Sequence, residues 1–123
     1  KKIEIFDLSN KKSGKYFQQK KVILVFGCIH GHDYNEMINH LSKLEPNIIV
    51  SKSRHPKSIE PIDISRNIIA NNFRLDSLQT TVTNAIDKAL TIATDKDIIL
   101  ITGSFSIIGE SLEKLSGIEP EIY

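Results

Sequence analysis

Three short runs of apolar residues constrain the fold of this chain more than any other feature of its sequence. They occupy residues 22–26, 48–50 and 98–101, and none of them alternates apolar with polar positions. A strand with one face in water alternates in that way, whereas a strand of a parallel sheet covered on both faces does not. Segments with helical periodicity separate the runs. The pattern therefore predicts a doubly wound α/β fold, with a mostly parallel sheet and helices on both faces.

The size and composition of the chain indicate one ordinary globular domain. It has 123 residues, of which 40% are hydrophobic and 25% charged, so we expect residues 1–123 to form a single domain with one core. The formal net charge of +1 gives no reason to expect nucleic-acid binding. No apolar run is long enough to cross a bilayer, and a single cysteine, Cys28, fits a reducing compartment. The prediction is a cytoplasmic domain that binds neither membrane nor nucleic acid.

The helical segments are marked by apolar residues at spacings of three and four. Asp33, followed three residues later by Glu36, predicts the start of the first helix through a capping box. The last predicted helix ends at Gly117 and takes its apolar positions from Ile107, Ile108, Leu112 and Leu115.

Polar residues follow two of the apolar runs, at the places where the predicted strands end. One group lies at residues 27–33 and the other at residues 102–106. In open α/β sheets, ligands bind at the carboxyl ends of the strands, where loops and helix N-termini meet. These two segments are therefore the candidate ligand-binding segments.

Cys28, His30 and His32 are spaced by two residues, so an extended backbone would turn all three side chains to one side. Zinc accepts such ligands, but the spacing matches no closed zinc motif. We interpret Cys28 as a small buried residue at a strand end, and the two histidines as residues of a solvated loop. The sequence thus predicts no metal site here.

Ser104 and Arg54 also lie at predicted strand ends that face the same edge of the sheet. The hydroxyl of Ser104 and the N–H groups beside it could bind a carboxylate or a phosphate. Alternatively, Ser104 could cap the following helix, and the two roles are compatible. For Arg54 and its neighbour His55, exposed loop charges are the more common explanation.

Three motifs, in a fixed order, resemble the C-terminal domain of the Mur ligase superfamily. They are VFGCIHGHD, IIVSKSRHP and IILITGSFSIIGE, beginning at Val25, Ile48 and Ile98. The resemblance covers about residues 22–113, and within the superfamily it is greatest to folylpolyglutamate synthase and dihydrofolate synthase. It implies the Rossmann-like fold of that domain.

The resemblance further implies an ATP-dependent ligase that joins the γ-carboxylate of a folate to the amino group of glutamate through an acyl phosphate. In that family, ATP and Mg²⁺ are bound mainly by a central ATPase domain, over which the C-terminal domain closes as a lid. This sequence has no G-x-x-x-x-G-K-[ST] phosphate loop. We therefore expect a lid-like domain that works with an ATPase domain, meets folate and glutamate through the full-length enzyme, and is inactive alone.

The resemblance also implies roles for single residues of this chain. Ser104 and His32 would bind the glutamate substrate, with His32 standing where the family usually has lysine. Asp7 and Asn10 would lie at the edge of the nucleotide, although the glycine and histidine of the family's motif are missing there. The loops around the site would be supported by Gly27, Asp33, Arg54 and Gly103.

Two other functions stay open on the residues alone. One is a non-catalytic ligand- or protein-binding module that kept the α/β scaffold after losing its ATP-site residues. The other is a free-standing nucleotide- or flavin-binding protein, against which no G-x-G-x-x-G follows any predicted strand. The sequence does not separate folylpolyglutamate synthase from dihydrofolate synthase.

Overall fold

Five parallel strands form the centre of the fold in the computed structural model, which describes residues 2–5 and 21–117. The strands are β1 (Lys2–Ile5), β2 (Val22–Gly27), β3 (Asn47–Val50), β4 (Arg74–Leu78) and β5 (Ile98–Gly103). Their order across the sheet is β1-β5-β2-β3-β4. The three apolar runs of the sequence form the three inner strands, because a strand covered on both faces needs apolar side chains at every position.

Among the described residues, four α-helices cover this sheet: α1 (Tyr34–Leu41), α2 (Pro61–Ala70), α3 (Val82–Ile92) and α4 (Phe105–Ser116). A short 3₁₀ turn, Ser42–Leu44, continues α1 and stops before Pro46, as that proline predicts. Gly117 ends α4 in the left-handed conformation, with φ 70°, which glycine adopts without steric cost. Within residues 2–5 and 21–117, none of the helices is both long and apolar enough to cross a membrane.

The two faces of the sheet bury separate apolar cores. On one face, Ile38 of α1 packs in the same buried cluster as Leu24 of β2, and α2 adds its own isoleucines. On the other face, Ile86 of α3 and Ile107 of α4 pack with Val25 of β2. Successive residues of β2 thus point to opposite cores, as the pleat of a strand requires. The predicted doubly wound α/β fold is confirmed.

The chain reverses its direction across the sheet at β2. From β2 it runs outward through β3 to β4, and then it returns to β5 on the other side of β2. Such a reversal leaves a crevice at the carboxyl ends of the two strands that flank it. The segments that follow Gly27 and Gly103 are therefore neighbours at this crevice.

The orientation of α4 differs from the sequence prediction. Leu112 and Leu115, which were expected to mark its apolar face, are 49% and 39% exposed, whereas Glu110 and Glu113 are buried. Ile107 alone of the four predicted apolar positions is fully buried. The helix exists where predicted, but a carboxylate-bearing side of it packs inward, because those carboxylates form ion pairs with Arg54, described below.

Candidate functional site

Two glycines bring the ends of β2 and β5 into close contact. Gly27 and Gly103 are paired in the parallel ladder, and the backbone N–H of Ser104 donates to the carbonyl of Gly27 at 3.1 Å. A Cβ on Gly103, whose φ is +133°, would lie 1.9 Å from that carbonyl oxygen. A Cβ on Gly27 would lie 2.4 Å from Cδ1 of Ile107. Only glycine fits at either position without displacement of neighbouring atoms. That the two residues support a ligand-binding loop stays a prediction.

The turn between β5 and α4 leaves hydrogen-bond donors unused. Ser104 occupies the N-cap position of α4, but its side chain makes no capping bond. Among the described residues, the backbone N–H groups of Phe105 and Ser106 have no hydrogen-bond acceptor. A helix N-terminus with free N–H groups favours an anion. The capping role considered for the Ser104 side chain is therefore wrong, and its hydroxyl is directed elsewhere.

That hydroxyl begins a chain of buried serine side chains. Ser104 Oγ lies 2.8 Å from Ser106 Oγ, Ser53 Oγ donates to Ser106 Oγ at 2.9 Å, and Ser53 Oγ lies 2.7 Å from Ser58 Oγ. All four side chains are buried. This serine chain links the start of α4 to the loop between β3 and α2, so these two segments form one hydrogen-bonded unit at the crevice.

Arg54 strengthens the same connection. Its backbone N–H donates to Glu110 Oε2 at 2.7 Å, and its guanidinium contacts Glu110 Oε1 at 3.5 Å and Glu113 Oε2 at 2.8 Å. Burial raises the pKa of Glu110, and the nearby charge of Glu113 adds to the effect, while the N–H and the charge of Arg54 oppose it. Arg54 is an exposed loop residue, as expected, and its ion pairs with Glu110 and Glu113 also join its loop to α4.

The first residues of the loop between β2 and α1 are hydrogen-bonded to a neighbouring loop, and the residues after them are exposed. The N–H of His30 donates to the carbonyl of Lys57 at 2.8 Å, and the N–H of Ile59 donates to the carbonyl of Cys28 at 2.9 Å. These two bonds join the loop to the segment that carries Ser58, the last residue of the serine chain. Three loops at the carboxyl edge are thus hydrogen-bonded to one another.

Asp33 caps α1 as predicted, because its carboxylate accepts from the N–H of Glu36 at 3.1 Å. In the described part of the chain, the Glu36 side chain does not accept from the N–H of Asp33. The predicted capping box therefore has one of its two hydrogen bonds. The structural role expected for Asp33 is confirmed in its main part, and it places His32 directly before the helix.

Cys28 and the two histidines do not converge. The Cys28 side chain is buried, with its Sγ 4.0 Å from Sδ of Met37, whereas His30 and His32 are exposed. Burial raises the pKa of the Cys28 thiol, so this residue is a poor nucleophile and a poor metal ligand. Among residues 2–5 and 21–117, no three His, Cys, Asp or Glu side chains are grouped so that they could hold a metal ion.

The predicted glutamate-binding residues, Ser104 and His32, both follow strands that end at the crevice. Ser104 is buried and His32 is exposed. That they bind a common ligand stays a prediction. Asp7 and Asn10, predicted at the edge of the nucleotide, lie outside the described residues.

Sequence reasoning missed five residues of this site: Ser53, Ser58, Ser106, Glu110 and Glu113. A signal was present, because a Ser-x-Ser pattern follows the apolar run of β3 and recurs directly after β5. The two glutamates lie four and seven residues after Ser106, which places all three on one side of a helix.

Comparison with known families identifies the domain. The family model described as Mur ligase, glutamate ligase domain, matches residues 11–105, which is most of the chain. The chain belongs to this family. The resemblance of its motifs to the C-terminal domain of the Mur ligase superfamily is thereby confirmed. No curated protein gives a significant match to the sequence.

The solved structures on which this domain superposes are much longer enzymes. It superposes on the bifunctional folylpolyglutamate synthase/dihydrofolate synthase from Yersinia pestis, complexed with AMPPNP and Mn ion, with a TM-score of 0.71 at 17% identity. It superposes on E. coli FolC in complex with DHPP and ADP with a TM-score of 0.72 at 18% identity. The superpositions cover 87% and 88% of this chain, but only 27% of either enzyme. The likeness shows the fold.

Proposed function

We propose that this chain is the C-terminal, lid-like domain of an ATP-dependent ligase that adds glutamate to a folate. Residues 1–123 act as a single domain, and the ATPase domain with which they work is not part of the chain. Membership of the Mur ligase glutamate ligase family supports the ligase class. The folate acceptor is proposed by analogy with the two superposed enzymes.

The reaction proceeds in two steps. The γ-carboxylate of the folate first attacks the terminal phosphorus of ATP, which gives an acyl phosphate and ADP. The neutral amino group of glutamate then attacks the acyl carbon, the carbon–oxygen bond to phosphate breaks, and an amide and inorganic phosphate result. The amine loses one proton in this step. A domain that holds glutamate with its amino group toward the acyl carbon makes the second step effectively intramolecular.

The observation that carries the proposal is the uncapped turn between β5 and α4. The N–H groups of Phe105 and Ser106 have no acceptor among the described residues, and the Ser104 hydroxyl lies beside them. These donors would bind a carboxylate of glutamate. His32 would supply a second contact from the neighbouring loop.

ATP and Mg²⁺ would be held mainly by the central ATPase domain. The sequence contains no phosphate loop, and the described residues offer no grouped metal ligands. The partners of this chain are therefore that domain and, through the full-length enzyme, folate and glutamate. A cytoplasmic location is proposed, because the single cysteine fits a reducing compartment.

The test uses the complete reading frame that encodes this domain. The purified product should incorporate radiolabelled glutamate into a folate only when ATP and Mg²⁺ are present. Replacement of Ser104 by alanine should raise the KM for glutamate about tenfold, because a hydrogen bond to a charged group is lost, while the KM values for ATP and folate stay nearly unchanged. A reading frame without a phosphate loop and without ligase activity would instead favour a non-catalytic binding module.

The isolated chain gives a second test. It should hydrolyse no ATP and should bind ATP weakly, since it has no phosphate loop. Isothermal titration calorimetry with Mg-ATP measures this directly. Micromolar affinity of the 123-residue chain would contradict its dependence on an ATPase domain.

A further inference from the structure

The number of protons in the serine chain gives it a direction. Each serine hydroxyl has one proton to donate. Ser58 can donate to Ser53 Oγ at 2.7 Å or to the carbonyl of Ser53 at 3.1 Å. With the shorter of these bonds made, the Ser53 proton goes to Ser106 Oγ at 2.9 Å. Ser104 and Ser106 share one hydrogen bond at 2.8 Å. Ser104 and Ser106 together carry two protons, so one of the two has no acceptor among the described residues. The end of the serine chain at α4 therefore has one proton to donate.

Ser53 determines which of the two residues offers that proton. Ser106 already accepts from Ser53, so donation from Ser106 to Ser104 makes all the hydrogen bonds of the serine chain run in the same direction. Hydrogen bonds aligned in this way strengthen one another. Ser104 then keeps its own proton for a ligand at the crevice. Without Ser53, the oxygen of Ser106 would be left with a free lone pair in a buried place, and Ser104 would donate inward to satisfy it.

Ser106 has a second effect on the same turn. Its hydroxyl holds Ser104 Oγ, which otherwise stands at the N-cap position, where a serine oxygen normally accepts from the N–H groups of the first turn. With the hydroxyl held, those N–H groups stay available. Removal of Ser106 Oγ would let Ser104 rotate into the ordinary capping position and occupy the donors that a carboxylate needs.

We propose that Ser53 and Ser106 are positioning residues for amino-acid binding: they turn the Ser104 proton and the free N–H groups of α4 toward the ligand. This inference rests on the proposed glutamate-ligase function. Arg54 supports it, since its bonds to Glu110 and Glu113 hold the loop that carries Ser53 against α4.

The test is steady-state kinetics of the full-length ligase. Compared with the unmodified enzyme, Ser106→Ala should raise the KM for glutamate about tenfold, because Ser106 is bonded to Ser104 itself. Ser53→Ala should raise it about threefold, because Ser53 acts on Ser104 only through Ser106. The KM for ATP should not change. Ser106→Thr, which keeps a hydroxyl, should restore the KM for glutamate.

The matched control is Ser111→Ala. Ser111 is buried on the same helix, and its hydroxyl donates to the carbonyl of Ile107 at 2.7 Å, outside the serine chain. Melting temperatures identify any variant that fails to fold. If Ser106→Ala fails to fold, the KM for glutamate of Ser106→Thr tests the inference at that residue instead. If Ser111→Ala raises the KM for glutamate as much as Ser106→Ala, the effect is general destabilisation and the inference is overturned.

Failure of the inference and failure of the proposed function can be told apart. If Ser104→Ala raises the KM for glutamate while Ser53→Ala and Ser106→Ala do not, Ser104 binds without positioning residues and the inference is wrong. If Ser104→Ala itself has no effect, the proposed glutamate site is wrong and the inference fails with it.

Discussion

The two helices that begin beside the crevice use opposite solutions at their first turns. At α1, the exposed carboxylate of Asp33 accepts from the N–H of Glu36, so the sequence satisfies its own helix. At α4, the residue in the same position, Ser104, is buried, and its hydroxyl turns away to Ser106. Both helices follow strands that end in glycine at the same edge of the sheet.

On the proposed function, the difference separates a turn that stabilises its helix from a turn that binds a ligand. A helix start that caps itself gains about 1 kcal/mol from the capping bond and has fewer donors left for a ligand. The start of α4 forgoes that bond and keeps its donors available. We expect substitutions at α1 to change stability and substitutions at the α4 turn to change ligand binding.

The largest effect should come from Gly103, on which the α4 turn depends. Gly103→Ala would place a Cβ 1.9 Å from the carbonyl oxygen of Gly27 at a φ of +133°. We expect a loss of about 3 kcal/mol or more in the free energy of unfolding, measured by urea denaturation. Gly31→Ala is the control, because Gly31 also has a positive φ, +100°, but its Cβ would meet no atom within 4 Å.

The Gly31 substitution should cost about 1–2 kcal/mol from backbone strain alone. Equal losses for the two variants would mean that the ends of β2 and β5 can separate easily. The close junction on which the geometry of the α4 turn depends would then not exist in solution.

Much of this fold can be predicted from the sequence, because the properties that determine it are local. The run at residues 98–101 is apolar throughout, as a strand covered on both faces requires. Glycine followed by a polar residue at its end also indicates where a strand stops and a loop begins. The place of Ser104 follows from these two facts.

The inward side of α4 could not be predicted in the same way. Leu112 and Leu115 have the spacing of an apolar face, yet Glu110 and Glu113 are the buried residues. Their burial depends on Arg54, which is 56 and 59 residues away in the sequence. The orientation of the Ser104 hydroxyl likewise depends on Ser53, which is bonded to Ser106 across 53 residues. No local spacing encodes such pairs.

A backbone substitution can test the N–H groups of the α4 turn directly. Phe105→Pro removes one free N–H at the first position of the helix, where proline is well tolerated, and Ser104 already has the extended ψ of 161° that a following proline requires. The Phe105 side chain is 80% exposed, so little packing is lost.

In the full-length enzyme, Phe105→Pro should raise the KM for glutamate about tenfold, the expected loss for a hydrogen bond to a carboxylate. Phe105→Ala keeps the N–H, removes the ring and should leave that KM nearly unchanged. If the alanine variant is as impaired as the proline variant, the ring makes the contact and the N–H groups do not.

The capped turn should give the opposite result. Asp33→Ala removes the acceptor for the N–H of Glu36 and should lower the free energy of unfolding by about 1 kcal/mol, measured by urea denaturation of the 123-residue chain. Asp33→Asn retains an acceptor oxygen and should lose only a fraction of that. An alanine variant as stable as the original chain would show that α1 does not depend on its cap.

The smallest expected effect concerns the buried side of α4 and its response to pH. Burial, with a further contribution from Glu113, raises the pKa of Glu110 despite the opposing N–H and charge of Arg54. A carboxyl group whose pKa is higher in the folded state than in the unfolded state binds a proton more readily when folded, so it contributes stability at low pH that is lost as the pH rises through the folded-state pKa. The free energy of unfolding, measured relative to the non-titrating variant Glu110→Gln, should therefore rise as the pH falls from neutrality into the carboxyl range. The ¹³C chemical shift of the Glu110 carboxyl should titrate with a midpoint above that of an ordinary glutamate. A midpoint below the ordinary value, with the opposite slope in stability, would mean that the ion pair with Arg54 outweighs burial and that α4 is fastened to the Ser53 loop chiefly by charge.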